Sequence, residues 1–309
     1  MLAAHSAPYT LMIVTDCCPD NPREDHDNFG RMICWHSHYS LGDQHNYSDP
    51  DDFLRDLYRK SINDGGKRLV AYLKSKQSRN AYLEYNRSTR EWDLYESSFW
   101  PGIDKWYVTQ SAPKSQLNAD GWFIDYMLDS LVRSDFEHLL SDHGDVIILP
   151  LYLYDHSVQS ISTRSFLGRA QHAAWDSGQV GYIYADRDSI LKEFGNLSDA
   201  SFEKAERLLV SETELYDHYM QGQCFGYRLY EDDEEIDSCW GFFGWEQEVK
   251  NSITGCLSDE CRPLVDLLDD TDDTENEYLD KVLAAYGGAH ERIQICCHRN
   301  PDRRSVHCR

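Results

Sequence analysis

The chain has 309 residues, 41% of them hydrophobic and 13% aromatic, and a formal net charge of −24. That length holds one large core or two domains, and the aromatic content excludes a disordered chain despite the charge. No apolar run reaches the roughly 18 residues of a membrane span; the first eight residues lack the basic and apolar regions of a secretory signal, so the expected compartment is cytoplasmic.

Leu11 to Thr15 reads as a short buried strand. A turn-rich stretch from Asp16 to Asp25 leads to a second strand, Gly30 to His36. The loop after Leu41 ends in a helix start, with Ser48 or Asp49 as N-cap and Pro50 in the first turn. Asp51 and Asp52 lie at the positive end of its dipole, and Phe53, Leu54, Leu57, Tyr58 and Ile62 form one apolar face. Residues 60–114 are basic, with ten Lys/Arg against six Asp/Glu, and alternate over 81–85, 92–95 and 105–109. They read as a β-rich insertion. Asp120 to Leu140 is predicted as one helix, because Trp122, Phe123, Tyr126, Met127, Leu131 and Leu139 recur at threes and fours.

Residues 146–154 form a nearly all-apolar strand, as expected of one covered on both faces. Pro150 cannot donate to a ladder and marks an edge or a bulge. Val180 to Tyr184 is its partner. Asp186 opens a short helix to Phe194, and the longest helix runs over about 199–220 to a stop at Gly222. Two strands follow, Cys224–Tyr230 and Ser238–Phe243, joined by an acidic hairpin-like connection. The acidic run 266–280 reads as a solvated helix or a flexible arm. This mixed order predicts an α+β fold, with a mixed or antiparallel sheet core and packed helices. The expected organisation is a core module of 1–59 and 115–250, the insertion 60–114, and an acidic C-terminal arm 251–309 ending in a Cys/His tail. No Gly-rich loop follows a strand, so nucleotide binding has no motif and no cofactor is expected.

The acid is uneven. Residues 212–280 hold 21 Asp/Glu against only Arg228, Lys250 and Arg262. Such a field repels nucleic acid and membrane surfaces and attracts basic partners. It serves solubility, or halophily (35 Asp against 19 Glu, with Lys scarce), or it is a functional anionic surface that occupies a basic site on another protein. For the third reading the candidate contacts are Asp232, Asp233, Glu234, Glu235, Asp269, Asp270, Asp272 and Asp273. Trp92, Trp100, Trp106 and Tyr107, near Arg87, Arg90 and Lys105, are candidate aromatic anchors; the competing reading is core packing of a small β subdomain. Direct nucleic-acid and membrane binding are not expected, and a homo-oligomer stays open.

Several clusters carry chemistry by residue type. His36 and His38 share a face of a strand, and Asp43 and His45 could return to them, the donor set of an open metal site. Packing of a strand end is the alternative. Asp155-His156-Ser157 has triad residue types, but triads converge from separate segments. Asp176-Ser177-Gly178 lacks the glycine before serine of a nucleophile elbow. Asp155, His156, Asp176 and Gln179 are therefore expected to fix loops. Ser238-Cys239-Trp240 resembles the nucleophile stretch of papain-like peptidases only superficially, because it reads as a strand and not as a helix start; Cys239 is expected to be a buried strand cysteine. The tail residues Cys296, Cys297, His298, His307 and Cys308 could bind zinc with Cys256 or Cys261, though their spacing matches no standard module. The ten cysteines follow no framework spacing and are expected to be mostly reduced.

Five phrases taken together resemble a family of largely uncharacterised proteins encoded by phages, plasmids and conjugative elements. They are Asp20-Asn-Pro-Arg23 with Asp27-Asn28, the run Leu149 to Ser157, Trp175 to Gly181, the helix with Glu212, Glu214, Tyr216 and Asp217, and Asp237 to Gly244. The resemblance covers roughly residues 10–60 and 145–245. It transfers no catalytic residue. It implies a genetic setting, accessory proteins of mobile elements that often defeat host defence. The expectation is a non-enzymatic inhibitor of a host defence complex, with a metal-dependent or hydrolytic enzyme and a regulatory protein of the element as alternatives.

Overall fold

The computed structural model describes residues 1–100, 103–141, 146–232 and 234–286, the side chains at 99, 100, 103, 104 and 286 excepted. The strands are β1 (Leu2–Ser6), β2 (Tyr9–Thr15), β3 (Arg31–Cys34), β4 (Ala81–Asn86), β5 (Glu91–Trp100), β6 (Ile103–Ala112), β7 (Val146–Asp155), β8 (Gln159–Ser162), β9 (Ser177–Asp186), β10 (Cys224–Glu231), β11 (Glu234–Phe243) and β12 (Asp269–Asp270). The helices are α1 (Pro22–Asp25), α2 (Pro50–Ser61), α3 (Lys67–Lys74), α4 (Phe123–Asp129), α5 (Arg133–Ser141), α6 (Ala173–Asp176), α7 (Arg187–Phe194), α8 (Asp199–Met220), α9 (Glu246–Cys256) and α10 (Glu275–Tyr286). The fold is α+β with antiparallel sheets. Contacts divide it into a unit of residues 1–26, 155–161 and 214–309, the acidic unit, and a unit of 27–154 and 162–213, the aromatic unit.

In the aromatic unit β9 lies between β3 and β7, antiparallel to both, with Ile183 opposite Met32 on one side and Leu149 on the other. Gly181 is required there: a Cβ would collide with the Ile33 carbonyl and the backbone of Cys34. The ladder carries a bulge between Leu151 and Tyr152, one residue past Pro150, where the proline predicted an irregularity. Ile147 to Pro150 are only half-buried, so β7 is not covered on both faces along its length. A second sheet, β4-β5-β6, follows hairpin order. Segment 60–114 is not set apart from the core module. It includes the helix α3, and its Leu69, Leu83 and Leu94 share one apolar core with Phe53, Phe123 and Tyr182.

Local chemistry sets the helix ends. Asp49 caps α2 by accepting from the Asp52 amide at 2.8 Å, and Pro50 follows it. Asp186 caps α7 through the Ser189 amide at 2.9 Å, and Gly195 closes it at φ +71°. The single helix predicted over 120–140 is two. The Ser130 hydroxyl donates to the Met127 carbonyl at 2.8 Å, and Asp135 Oδ2 accepts from the Val132 amide at 3.0 Å, ending α4 and starting α5.

The acidic unit is built on one antiparallel sheet in the order β11-β10-β2-β1-β12. Alternation gives it two covered faces. Leu11, Ile13, Tyr227 and Leu229 pack with Val249 and Ile253 of α9. Met12, Val14 and Tyr230 pack with Leu279 of α10. Residues 266–280 are thus not a free arm: Asp269 and Asp270 pair with Ala3 and Leu2, and α10 begins at Glu275. Among the described residues no helix is long and apolar enough to cross a membrane.

Candidate interaction surfaces

At one end of the acidic unit the β10–β11 turn meets the β1–β2 turn. Asp232 is left-handed at φ +55°, and its amide donates to the Pro8 carbonyl at 2.7 Å. Glu231 pairs with Tyr9 in the ladder, and the Tyr9 hydroxyl donates at 3.4 Å to Oε2 of Glu260, on the segment after α9. The charge of Glu231, then burial and Glu260, push the Tyr9 phenol up. Asp232, Glu234 and Glu235 are exposed beside them, and Asp269, Asp270 and Asp272 are exposed elsewhere in the unit. Asp233 lies outside the described residues. Asp273 is different from the rest of the predicted set: Lys281 binds it at 2.7 Å and holds its carboxyl down.

The three cations of segment 212–280 are consumed internally. Arg228 reaches Glu275 at 2.8 Å and Glu235 at 3.9 Å, Lys250 reaches Glu246 at 2.7 Å, and Arg262 reaches Asp259 at 2.5 Å. Of the hairpin carboxylates only Glu235 receives one of these cations; Glu231, Asp232 and Glu234 lie outside the pairs.

In the aromatic unit the β4-β5-β6 sheet splits the predicted anchors between its faces. Trp106 sits beside Tyr82, ring centroids 4.8 Å apart, and Tyr82 stacks on Tyr95 at 4.7 Å and 6°. Lys76 Nζ lies 4.2 Å over the Tyr82 ring and bonds Glu84 at 2.9 Å. Tyr82 and Tyr95 were not among the predicted anchors; the alternation over 81–85 and 92–95 was their signal. Tyr107, opposite Glu96 in the ladder, is exposed on the other face. Trp92 packs against the core under Lys74 Nζ, 3.8 Å from its ring. It belongs to the core-packing reading. The Trp100 side chain is outside the described residues.

His36, His38, Asp43 and His45 do not converge as ligands. His36 Nδ1 accepts from the His38 and Tyr39 amides, each at 3.2 Å, and its ring stacks on Tyr39 at 4.8 Å. Asp43 Oδ2 accepts from the Met32 amide at 2.9 Å. His45 Nε2 bonds the Cys34 carbonyl at 2.9 Å, and its Nδ1 is buried without a hydrogen-bond partner. Among the described residues no group of three His, Cys, Asp or Glu side chains is placed to hold a metal ion. The loop instead lines an open cavity of about 870 Å³. Cys296, Cys297, His307 and Cys308 lie outside the described residues.

Of the predicted loop-fixing residues, Gln179 donates to the Gly181 carbonyl at 3.4 Å, Asp155 closes β7, and Asp176 ends α6, where Ser177 Oγ donates to the Ala173 carbonyl at 2.6 Å. His156 is exposed. The structure adds Asp217, which sequence reasoning left without a role. Its carboxylate accepts from the Ile161 amide and from Gln221 Nε2, each at 2.8 Å, and burial pushes its pKa up. Cys239 lies in strand β11 as expected and is half-buried. Burial pushes the Cys224 thiol up to about 12, so it is no nucleophile near neutral pH. Comparison with protein-family models, with curated proteins and with solved structures returned no match to this chain.

Proposed function

We propose that this chain is an accessory protein of a phage or other mobile element that disables a host defence complex by direct binding. The contact is the exposed acid of the acidic unit, set against a basic, nucleic-acid-binding site on the partner. One observation carries the charge argument: Arg228, Lys250 and Arg262 are each tied up in ion pairs, while Glu231, Asp232, Glu234 and Glu260 crowd the hairpin end. Unbalanced exposed carboxylates speed encounter with a cationic surface and repel nucleic acid itself. The genetic setting rests on the five phrases that resemble mobile-element proteins.

The test is binding to, and inhibition of, defence complexes from hosts of such elements. Inhibition by the intact chain, weakening as salt rises from about 50 to 500 mM, is the expected result. Charge reversal of Asp232, Glu234, Glu235, Asp269, Asp270 and Asp272 together should abolish it. Full inhibition by that variant would sink the acidic-surface reading.

A further inference from the structure

The two most exposed large apolar side chains described are neither in the acidic hairpin nor on the β4-β5-β6 sheet. They are Trp175, 90% exposed, and Leu167, 62% exposed. Both stand on the segment between β8 and β9, and that segment is well anchored. Phe166 is buried and stacks on Tyr154 at 5.5 Å, the Tyr154 hydroxyl donates to the Gln171 carbonyl at 2.9 Å, and Arg169 Nη1 donates to the Arg164 and Ser165 carbonyls. His172 takes a left-handed φ of +57°, a conformation that non-glycine residues seldom adopt. Its carbonyl then accepts the Trp175 and Asp176 amides, forming the single turn of α6 that lifts the indole into solvent.

The charge of this segment is opposite to that of the chain. Residues 156–175 contain no Asp or Glu in a protein of net charge −24, and Arg164 and Arg169, on the same segment, are exposed. Exposed Trp with flanking Arg is the composition of an interface anchor. Its partner needs an apolar socket with carboxylates at hand. The acidic unit presents one, a cavity of about 170 Å³ lined by Leu2, Ile13, Phe225 and Val249 together with Glu246 and Asp270. A cavity of about 150 Å³ is known to take a benzene ring, so an aromatic side chain is of the right scale. Glu246 is already paired with Lys250 at 2.7 Å, which leaves Asp270, exposed on β12, as the carboxylate for an incoming arginine.

We propose that this protein self-associates by seating Trp175 of one copy in the cavity beneath α9 of a second copy, with Arg164 meeting Asp270. This does not rest on the function proposed above, and its salt dependence has the opposite sign. Two chains of −24 repel at long range, so screening promotes the contact.

Sedimentation velocity of the full chain tests it. At about 150 mM salt and tens of micromolar protein a reversible dimer or larger assembly is expected, and less of it at about 10 mM salt. Trp175→Ala should weaken association about 30-fold or more. Asp270→Lys should weaken it too, and adding Arg164→Glu to that variant should restore it; circular dichroism of each variant checks that the chain is folded. A monomeric wild type up to about 200 µM, or assembly untouched by Trp175→Ala, overturns the proposal. So does failure of the charge swap to restore association, which would unseat the cavity. A monomeric chain that binds neutral lipid vesicles through Trp175 would likewise overturn it, in favour of a membrane-interface anchor.

Discussion

The two units differ in which carboxylates they bury. Most acids of both face water, but the aromatic unit turns a few of its own inward. Asp135 is 3% exposed and accepts from the Tyr72 hydroxyl at 2.7 Å, the Ser78 hydroxyl at 2.9 Å and the Val132 amide at 3.0 Å. Asp93, also buried, takes the Ser111 hydroxyl at 2.6 Å and Asn86 Nδ2 at 2.9 Å. Glu212 takes the Phe29 and Gly30 amides. In the acidic unit most carboxylates face water, and the sheet beneath them packs by apolar alternation on both faces. An acidic residue count therefore says little by itself. Whether an acid builds the fold or charges the surface depends on the donors the chain places around it.

The largest predicted effect breaks the inward set. Asp135→Ala leaves a phenol, a hydroxyl and an amide without their acceptor in a buried site. At about 1–3 kcal/mol for each unsatisfied buried group, the loss is on the order of 3–5 kcal/mol, measured by chemical denaturation. Asp135→Asn should recover part of it, since the amide oxygen still accepts. A loss below about 1 kcal/mol for the alanine variant would show that water replaces the carboxylate.

Next is Gly181→Ala, which probes the same unit without touching a charge. The added methyl would meet the Ile33 carbonyl and the Cys34 backbone, both parts of a ladder that cannot give locally. The expected cost is about 1–3 kcal/mol by thermal denaturation. Equal stability would mean that β3 and β9 are less tightly apposed than the register shows.

The same contrast explains what could be read from the sequence. Capped helices were legible, because Asp49-Pro50 and Asp186 act within a few residues of themselves. So were β7 and β9, from their apolar runs. The break at 130–132 was not, because the apolar period of Phe123, Met127 and Leu131 runs straight across it, while the capping carboxylate of Asp135 reads as any surface acid. β1 was missed because its membership in a sheet is set by pairing with β2 and with Asp269–Asp270, far along the chain. The acidic surface was legible as composition. Its sharpest feature, three cations all paired away, depends on distances that no spacing rule supplies.

Asp217 lies between the two uses, half-buried in the acidic unit. Burial raises its pKa, so the folded chain holds this proton more tightly than the unfolded chain does. Its contribution to stability is full below the unfolded value and is lost as pH rises through the raised folded value. Asp217→Asn keeps an acceptor for the Ile161 amide and removes the titration. The variant should gain on the wild type as pH rises from about 3 to about 7, read from denaturation midpoints at each pH. Parallel curves would show that the carboxyl is no better protonated in the fold than out of it.

The smallest effects belong to the outward set. Asp232, Glu234, Asp269, Asp270 and Asp272 are exposed, and it is backbone pairing that ties Glu234, Asp269 and Asp270 into the sheet. Neutralising each to Asn or Gln should change stability by no more than about 0.5 kcal/mol. Neutralising them together should raise it slightly, most clearly at low salt, because self-repulsion in the acidic unit falls. Asp273→Asn is the internal control, since it removes the Lys281 ion pair and should give no such gain. A combined variant that is markedly less stable would mean that these carboxylates serve the fold after all, and the distinction between the two units would reduce to one of exposure.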